Sequence, residues 1–473
     1  MPWKTDIGLE VHVQLRTRSK MFCGCPNAYG GEPNTHVCPV CLGYPGALPV
    51  INEEAVRLTV RTGLLLGCAI QLHSKFDRKN YFYPDQAKNY QISQYDQPLC
   101  LGGGLEIEVG GVKKFIRLTR IHLEEDVAKN THFDTASGID FNRGGTPLME
   151  IVTEPDLASA DETMAFLLAL KQVLQYGEVS DCNLEEGNIR CDVNSSVRRD
   201  EQAPLGTKVE LKNMNTFKGV QRALKAELAR QVRELERGGS IVQETRRWND
   251  EAGLTESMRS KEYAHDYRYF PEPDLRPVRL EQATVEQWRN ELPELPARRR
   301  VRLVEQYGLP EYDADVLVAD KLVADYFEKT ARLCGQAKAA SNWIMTDVLR
   351  LLSEREMEIA ALKVTPESLA ALIKLVEQKA INMPAAKLVF GVLCEEGGDP
   401  EAIVKARGLA QVSDSGAMEG FADQAIAANP KSVADYRAGK QPAFEFLVGQ
   451  VMRFSKGKAN PQLAREWLLK KLG

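Results

Sequence analysis

The chain has 473 residues, 43% of them apolar and 27% charged, and a net charge of −5. At ~150 residues per domain that length suggests about three domains, and the composition is that of an ordinary globular protein. Collagen-like, disordered, transmembrane and small disulfide-stapled secreted classes are excluded. The longest nearly apolar stretch, 63–70, is far short of the ~20 residues a membrane helix needs. The opening Met-Pro-Trp-Lys-Thr-Asp lacks an apolar signal core, so a cytoplasmic multidomain enzyme or enzyme component with no membrane partner is expected.

Residues 7–15 alternate strictly, with Ile7, Leu9, Val11, Val13 and Leu15 on one face and Glu10, His12 and Gln14 on the other, which predicts a half-buried strand. Four cysteines follow, Cys23, Cys25, Cys38 and Cys41, as C-x-C, twelve residues, then C-x-x-C. Two close pairs can set four thiolates around one zinc ion. The Pro-, Gly- and Asn-rich segment between them reads as a loop gripped at both ends. Redox chemistry at Cys38-Pro-Val-Cys41 is the weaker reading, and a closed four-thiolate shell has no catalytic position. Cys68, Cys100, Cys182, Cys191, Cys334 and Cys394 are scattered and read as small buried residues.

Residues 76–85, dense in aromatics and charge, read as a loop that either anchors on Tyr81, Phe82 and Tyr83 or contacts substrate. Strands are expected at 120–124, 148–154, 188–194 and 207–212, and helices at 160–176 and 216–237, the second stopped by Gly238-Gly239. The alternation suits a largely antiparallel sheet with one open face. A Pro-containing junction at 292–296 and the basic run Arg298–Arg300 mark a boundary, after which nearly everything to about 405 reads as helix. The expected division is 1–292, 293–407 and 408–473.

The polar strand face collects acids and imidazoles: Glu10 and His12, His122 with Glu124 and the adjacent Glu125, Glu150 with Glu154, Asp192 and Glu210. Any one of these is more often a solvated outward residue. As a set they repel one another without a cation, and carboxylates with a sparse imidazole suit Mg²⁺ or Mn²⁺. Lys79, Arg143, Arg190, Lys208 and Lys212 are basic residues able to hold nucleotide phosphates. Asn142-Arg-Gly-Gly-Thr-Pro147 adds a turn just before Glu150. No Walker or Rossmann glycine motif is present. At the other end, residues 431–473 carry nine Lys/Arg and three acids. That +6 on an otherwise acidic chain suggests an anionic partner, although a solvated helical surface is the commoner origin of a charge run.

The strings IGLEVHVQL, HVCPVCLGYPGALPV, FDRKNYFYPDQAKNYQISQYDQP, HLEEDVAK, DFNRGGTPLMEIVTEPD, LEEGNIRCDVNSSVR, KVELKNMNTFKGV, DYRYFPEPDL and VGQVMRFSKGKANPQ closely resemble the B subunits of bacterial aspartyl/glutamyl-tRNA amidotransferases, from residue 7 to the C-terminus. The resemblance implies an α+β, glutamine-synthetase-like cradle, then a helical domain and a tRNA-contacting tail. It implies ATP-dependent phosphorylation of the side-chain carboxyl of Glu-tRNA(Gln) or Asp-tRNA(Asn), and amidation by ammonia that an amidase (A-type) partner releases from glutamine. A small C-type partner would brace the two. It implies Mg²⁺ held by Glu10, His12, Glu125 and Glu150, with Glu124 as the alternative to Glu125. Lys79 and Tyr81 would lie on the ammonia path or touch substrate. Arg143, Arg190, Asp192, Lys208 and Glu210 would serve the ATP, the cysteine quartet a structural zinc, and Arg453, Lys456 and Lys458 the tRNA. A free-standing carboxylate–amine ligase and a non-catalytic tRNA-binding scaffold are the competing readings.

Overall fold

The computed structural model describes residues 3–184, 186–200, 202–258, 267–411, 415–455 and 459–473. It divides into two compact units, Met1–Pro296 and Ala297–Gly473.

The first unit is built on a ten-stranded sheet. In chain order its strands are β1 (Lys4–Gln14), β2 (Ala69–Ile70), β3 (Cys100–Leu101), β4 (Gly104–Val109), β5 (Val112–Glu125), β6 (Pro147–Thr153), β7 (Ile189–Arg198), β8 (Val209–Lys212), β9 (Thr245–Asn249) and β10 (Leu254–Ser257). The spatial order is β10-β9-β8-β7-β1-β6-β5-β3-β2, with β4 paired to β5. Every pairing is antiparallel except β8 with β9. The N-terminal strand is therefore central, flanked by β6 and β7. Its residues Ile7, Leu9, Val11 and Val13 are all at most 1% exposed, while Glu10, His12 and Gln14 are half-buried on the other face. This is the mainly antiparallel sheet that the alternation predicts, with its polar face half-buried to buried rather than open.

The three longest helices of the first unit join the sheet's apolar residues in one core: α1 (Glu53–Leu65), α2 (Ala160–Tyr176) and α3 (Phe217–Glu236). Each opens on a side-chain cap. Asn52, Ser159 and Thr216 accept from the backbone N–H of Glu54, Glu162 and Gly219, satisfying donors the first helical turn leaves unpaired. A small antiparallel sheet sets the strand Asp77–Asn80 between Tyr90–Ser93 and Phe270–Pro271. The segment 76–85, expected as a loop, thus begins as a strand, because Asp77 is buried and accepts from the Tyr95 N–H. The six scattered cysteines are all buried.

The second unit is helical throughout its described residues. It holds two apolar clusters, one from Leu303 to Val404 and one from Met418 to Leu472. The basic run and the nearby Arg302 have a structural use: Arg299 and Arg302, on the helix Pro296–Tyr307, both donate to the Glu328 carboxylate on the helix Lys321–Cys334, at 2.8 and 2.7 Å. Among the described residues no helix is long and apolar enough to cross a membrane.

Candidate active site and metal centres

Register brings the polar residues into rows. His12 on β1 stands opposite Glu150 on β6 and Arg190 on β7. Glu150 stands opposite His122 on β5. Opposed residues of an antiparallel pair share a face, so Arg190, His12, Glu150 and His122 form one row over four strands. Glu124 lies two residues along β5 from His122, on the same face.

The side chains converge. His12 Nε2 is 3.3 Å from Glu150 Oε2 and 4.0 Å from Glu124 Oε1. His122 Nε2 is 3.6 Å from Glu150 and 3.7 Å from Glu124. Ser93 Oγ donates to Glu124 Oε2 at 3.0 Å. Both carboxylates are buried, at 2% and 8% exposure. One ligand atom each from His12, Glu124 and Glu150 lies within 4.8 Å of the other two. An N,O,O set of this kind, its two carboxylates buried, fits a hard divalent cation such as Mg²⁺ or Mn²⁺. His122 Nδ1 is buried without a hydrogen-bond partner.

The electrostatics keep the acids ionised. Burial pushes Glu124 and Glu150 upward, but the imidazoles and Lys79 outweigh it and hold both below the usual carboxylate range. His12 is raised: burial pulls it down, while the Glu150 hydrogen bond and the charges of Glu150, Glu124 and Asp192 push it further up. Lys79 likewise overcomes the cost of burial and is raised, chiefly by Glu124. Its Nζ lies 5.1 Å from the Tyr267 ring centre. Tyr267 meets Tyr81 and Tyr269 edge-on, and Tyr269 stacks on Tyr95 at 4.2 Å. Burial pushes the Tyr81 phenol up to about 12, against a hydrogen bond from Gln86.

Other expected residues fall elsewhere. Glu125 does not join the cluster, a correction to the expected ligand set. Successive strand residues face opposite sides, and its carboxylate accepts from the Ile92 N–H at 3.0 Å and pairs with Lys88 at 2.6 Å. Glu10 is on the His12 face one row away, opposite Asp192, and accepts from Asn194 at 2.9 Å. Asp192 and Glu210 share Lys212, at 2.9 and 3.2 Å, and Lys208 is exposed. Arg190 donates to Asp126 at 2.7 Å, and Arg143 donates to the Val127 and Ala128 carbonyls, both at 2.9 Å. These two arginines line a cavity of about 880 Å³ beside the row, together with Gln14, Tyr29, Lys129 and Thr216. Asp126, 3% exposed and also bonded to Gln14 at 2.9 Å, organises that wall. It follows directly in the HLEED string, yet nothing in its local pattern marks it.

The cysteine quartet closes as its spacing predicts. The four sulfurs all lie within 4.8 Å of one another, and Cys38 Sγ is 3.9 Å from Cys41 Sγ. Tetrahedral zinc with Zn–S bonds of ~2.3 Å spaces its sulfurs about 3.8 Å apart. A hydrogen bond from Cys23, with the Cys38 N–H and the Lys20 ammonium, pulls the Cys41 thiol down to about 4 against the effect of burial. The donors and their spacing fit a structural metal.

Arg453 is exposed at the end of the helix Gln441–Phe454. Lys456 and Lys458 lie outside the described residues. Several tail cations are already paired: Lys440 with Asp435, Arg465 with Glu445, and Lys471 with Glu419 and Asp423. Residues 408–430 add three acids and no base, so the whole expected tail domain carries +3 rather than +6.

Comparison with known proteins gives two family matches. Residues 5–286 match the GatB/GatE catalytic domain and residues 325–472 the GatB domain. The chain is 53% identical to a protein of Caldicellulosiruptor bescii, with 100% of this chain and 99% of that one covered. It is 52% identical to one of Thermoanaerobacter sp. and 50% to one of Chlorobium chlorochromatii, both covered completely. All three are named as the B subunit of an aspartyl/glutamyl-tRNA(Asn/Gln) amidotransferase.

Proposed function

Because the chain belongs to the GatB/GatE family, over half of its length in the catalytic domain alone, we propose that it is the component of a tRNA-dependent amidotransferase that activates the substrate carboxyl. The substrate is the side chain of Glu on tRNA(Gln) or of Asp on tRNA(Asn). A carboxylate is a poor electrophile. Moving the γ-phosphoryl of ATP onto its oxygen makes phosphate the leaving group, and ammonia then displaces phosphate to give the amide. In this reading the sheet is a glutamine-synthetase-like cradle, residues 293–407 a helical domain and 408–473 a tRNA-binding domain.

The convergence of His12, Glu124 and Glu150 from three strands supports the reading most directly. These residues would hold Mg²⁺, which draws charge off a transferring phosphoryl group. His12 and Glu150 fix each other's orientation across β1 and β6. Lys79 supplies positive charge beside both carboxylates and faces the tyrosine cluster, where ammonia and the substrate carboxyl would meet. The cavity lined by Arg143 and Arg190 is large enough for a nucleotide. The cysteine quartet would hold zinc for structure only. Since the chain has no Ser-Ser-Lys amidase signature, ammonia would come from a separate amidase partner, with a small third protein bracing the pair.

The test is the chain co-assembled with its candidate amidase and bracing partners, given glutamine, ATP, Mg²⁺ and each mischarged tRNA separately. Amide on the tRNA only when ATP is present is the expected result. No amide from either tRNA while glutamine is still hydrolysed would overturn it and favour a ligase acting on a small acid.

A further inference from the structure

Lys20 is 1% exposed, a buried cation that the reaction does not use. Its Nζ donates to the Phe141 carbonyl at 3.0 Å and lies 3.7 Å from Cys41 Sγ. Among the described residues no carboxylate pairs with it. An ammonium in a dry site is costly unless an anion stands beside it. The same position beside a metal-bound thiolate is favourable. A divalent ion held by four thiolates forms a centre of charge −2, itself expensive to bury. One adjacent ammonium halves that charge. Each charge therefore accounts for the other.

The surroundings show what this pairing joins. Phe141 opens the turn 141–146 that leads into β6 and Glu150. The Met21 N–H donates to the Gly145 carbonyl at 2.7 Å. Gly145 has φ +84°, and a Cβ there would stand 3.5 Å from both Lys20 Cδ and Cys41 Cβ. The loop between the cysteine pairs is tied to the same turn: the Phe141 N–H donates to Asn34 at 2.8 Å, the His36 N–H to Asn142 at 2.8 Å, and Asn142 to the Glu32 carbonyl at 2.8 Å.

We infer that Lys20 is the outer-sphere charge partner of the tetrathiolate centre, orienting Cys41 and fastening the metal loop to the turn that precedes Glu150. Lys20 is a positioning residue in this role, and the inference rests on the reading of the four cysteines as a metal centre. Outer-sphere partners of metal ligands typically carry a 10–100-fold effect on metal affinity.

The test uses the purified full chain, its zinc content measured by mass spectrometry and zinc transfer to a chromophoric chelator followed in time. The wild type should hold one zinc, and Lys20→Met should release it about 10–100-fold faster. Equal release rates with zinc bound would overturn the role of Lys20 alone. A wild type that takes up no zinc would overturn the metal centre as well. Should Lys20→Met fail to fold, amine labelling of the wild type decides: Lys20 should resist acylation in the zinc-loaded chain and react once zinc is stripped. Equal labelling in both states would overturn the inference.

Discussion

Glu124 and Glu125 are consecutive on β5 and serve opposite sides of the sheet. Glu124 stands with His12, His122 and Glu150, whereas Glu125 pairs with Lys88 and caps the Ile92 N–H. Identical chemistry one residue apart should therefore give opposite phenotypes. Glu124→Gln should cut ATP-dependent amide formation by about 100-fold, while its stability loss stays modest because losing the favourable charges of His122 and Lys79 is partly offset by losing the repulsion with Glu150. Glu125→Gln should cost about 2–3 kcal/mol of stability by leaving the Lys88 ammonium without its charged acceptor. Denaturant unfolding beside the transamidation assay separates the two. Equal effects on both readouts would show that the faces are not divided in this way.

Lys79 adds its charge to those of the imidazoles in holding Glu124 and Glu150 ionised. Lys79→Met removes that charge, so both carboxylates should bind protons more readily. Their folded-state pKa values move up, and the acid limb of the pH–rate profile should move to higher pH. Free ammonium should not rescue the variant if the lysine acts at the carboxylates. Full rescue would assign it to ammonia delivery alone.

In the helical unit, Glu328 is held below the usual carboxylate range: burial opposes ionisation, but Arg302 and Arg299 outweigh it. A folded pKa below the unfolded value means stability that is full above the ordinary glutamate pKa of about 4.3 and is lost as pH falls through the folded value. Glu328→Gln should lower stability at neutral pH by about 1–3 kcal/mol and flatten this part of the acid dependence. Urea midpoints at pH 7 and below pH 4 test both claims.

Within the tail, the paired and unpaired cations should behave differently toward tRNA. Arg453→Glu should weaken binding and reduce the slope of log affinity against log salt by about 1–2. Lys471→Ala, which removes a cation already engaged by Glu419 and Asp423, should change either quantity little. Filter binding at several salt concentrations is the measurement. An unchanged slope for Arg453→Glu would remove that helix end from the interface.

Much of this was legible in one dimension. Period-two alternation places Glu10 with His12 and His122 with Glu124, because a strand makes facing a local property. The cysteine spacing closes a four-sulfur site, because both pairs are short. Three things were not legible. Motif resemblance favours Glu125 where alternation favours Glu124, since a motif names a neighbourhood rather than a face. Asp126 holds Gln14 and Arg190, residues far away in sequence, and that contact exists only once β1 and β7 are paired. Lys20 sits in an ordinary-looking Arg-Ser-Lys-Met segment, and its burial follows from the turn at Gly145 more than a hundred residues on.

The placement of β1 bears on how the protein is made. β1 leaves the ribosome before either of its partners, at 147–153 and 189–198. At ~5–20 residues per second, on the order of ten seconds or more pass before its second neighbour exists. Through that interval at least one edge of the strand carrying Ile7, Leu9, Val11 and Val13 has no partner to pair with, an invitation to aggregation. The geometry that assembles the catalytic row from distant segments thus makes the nascent chain dependent on shielding during synthesis, and yields should fall first when chaperone capacity is short.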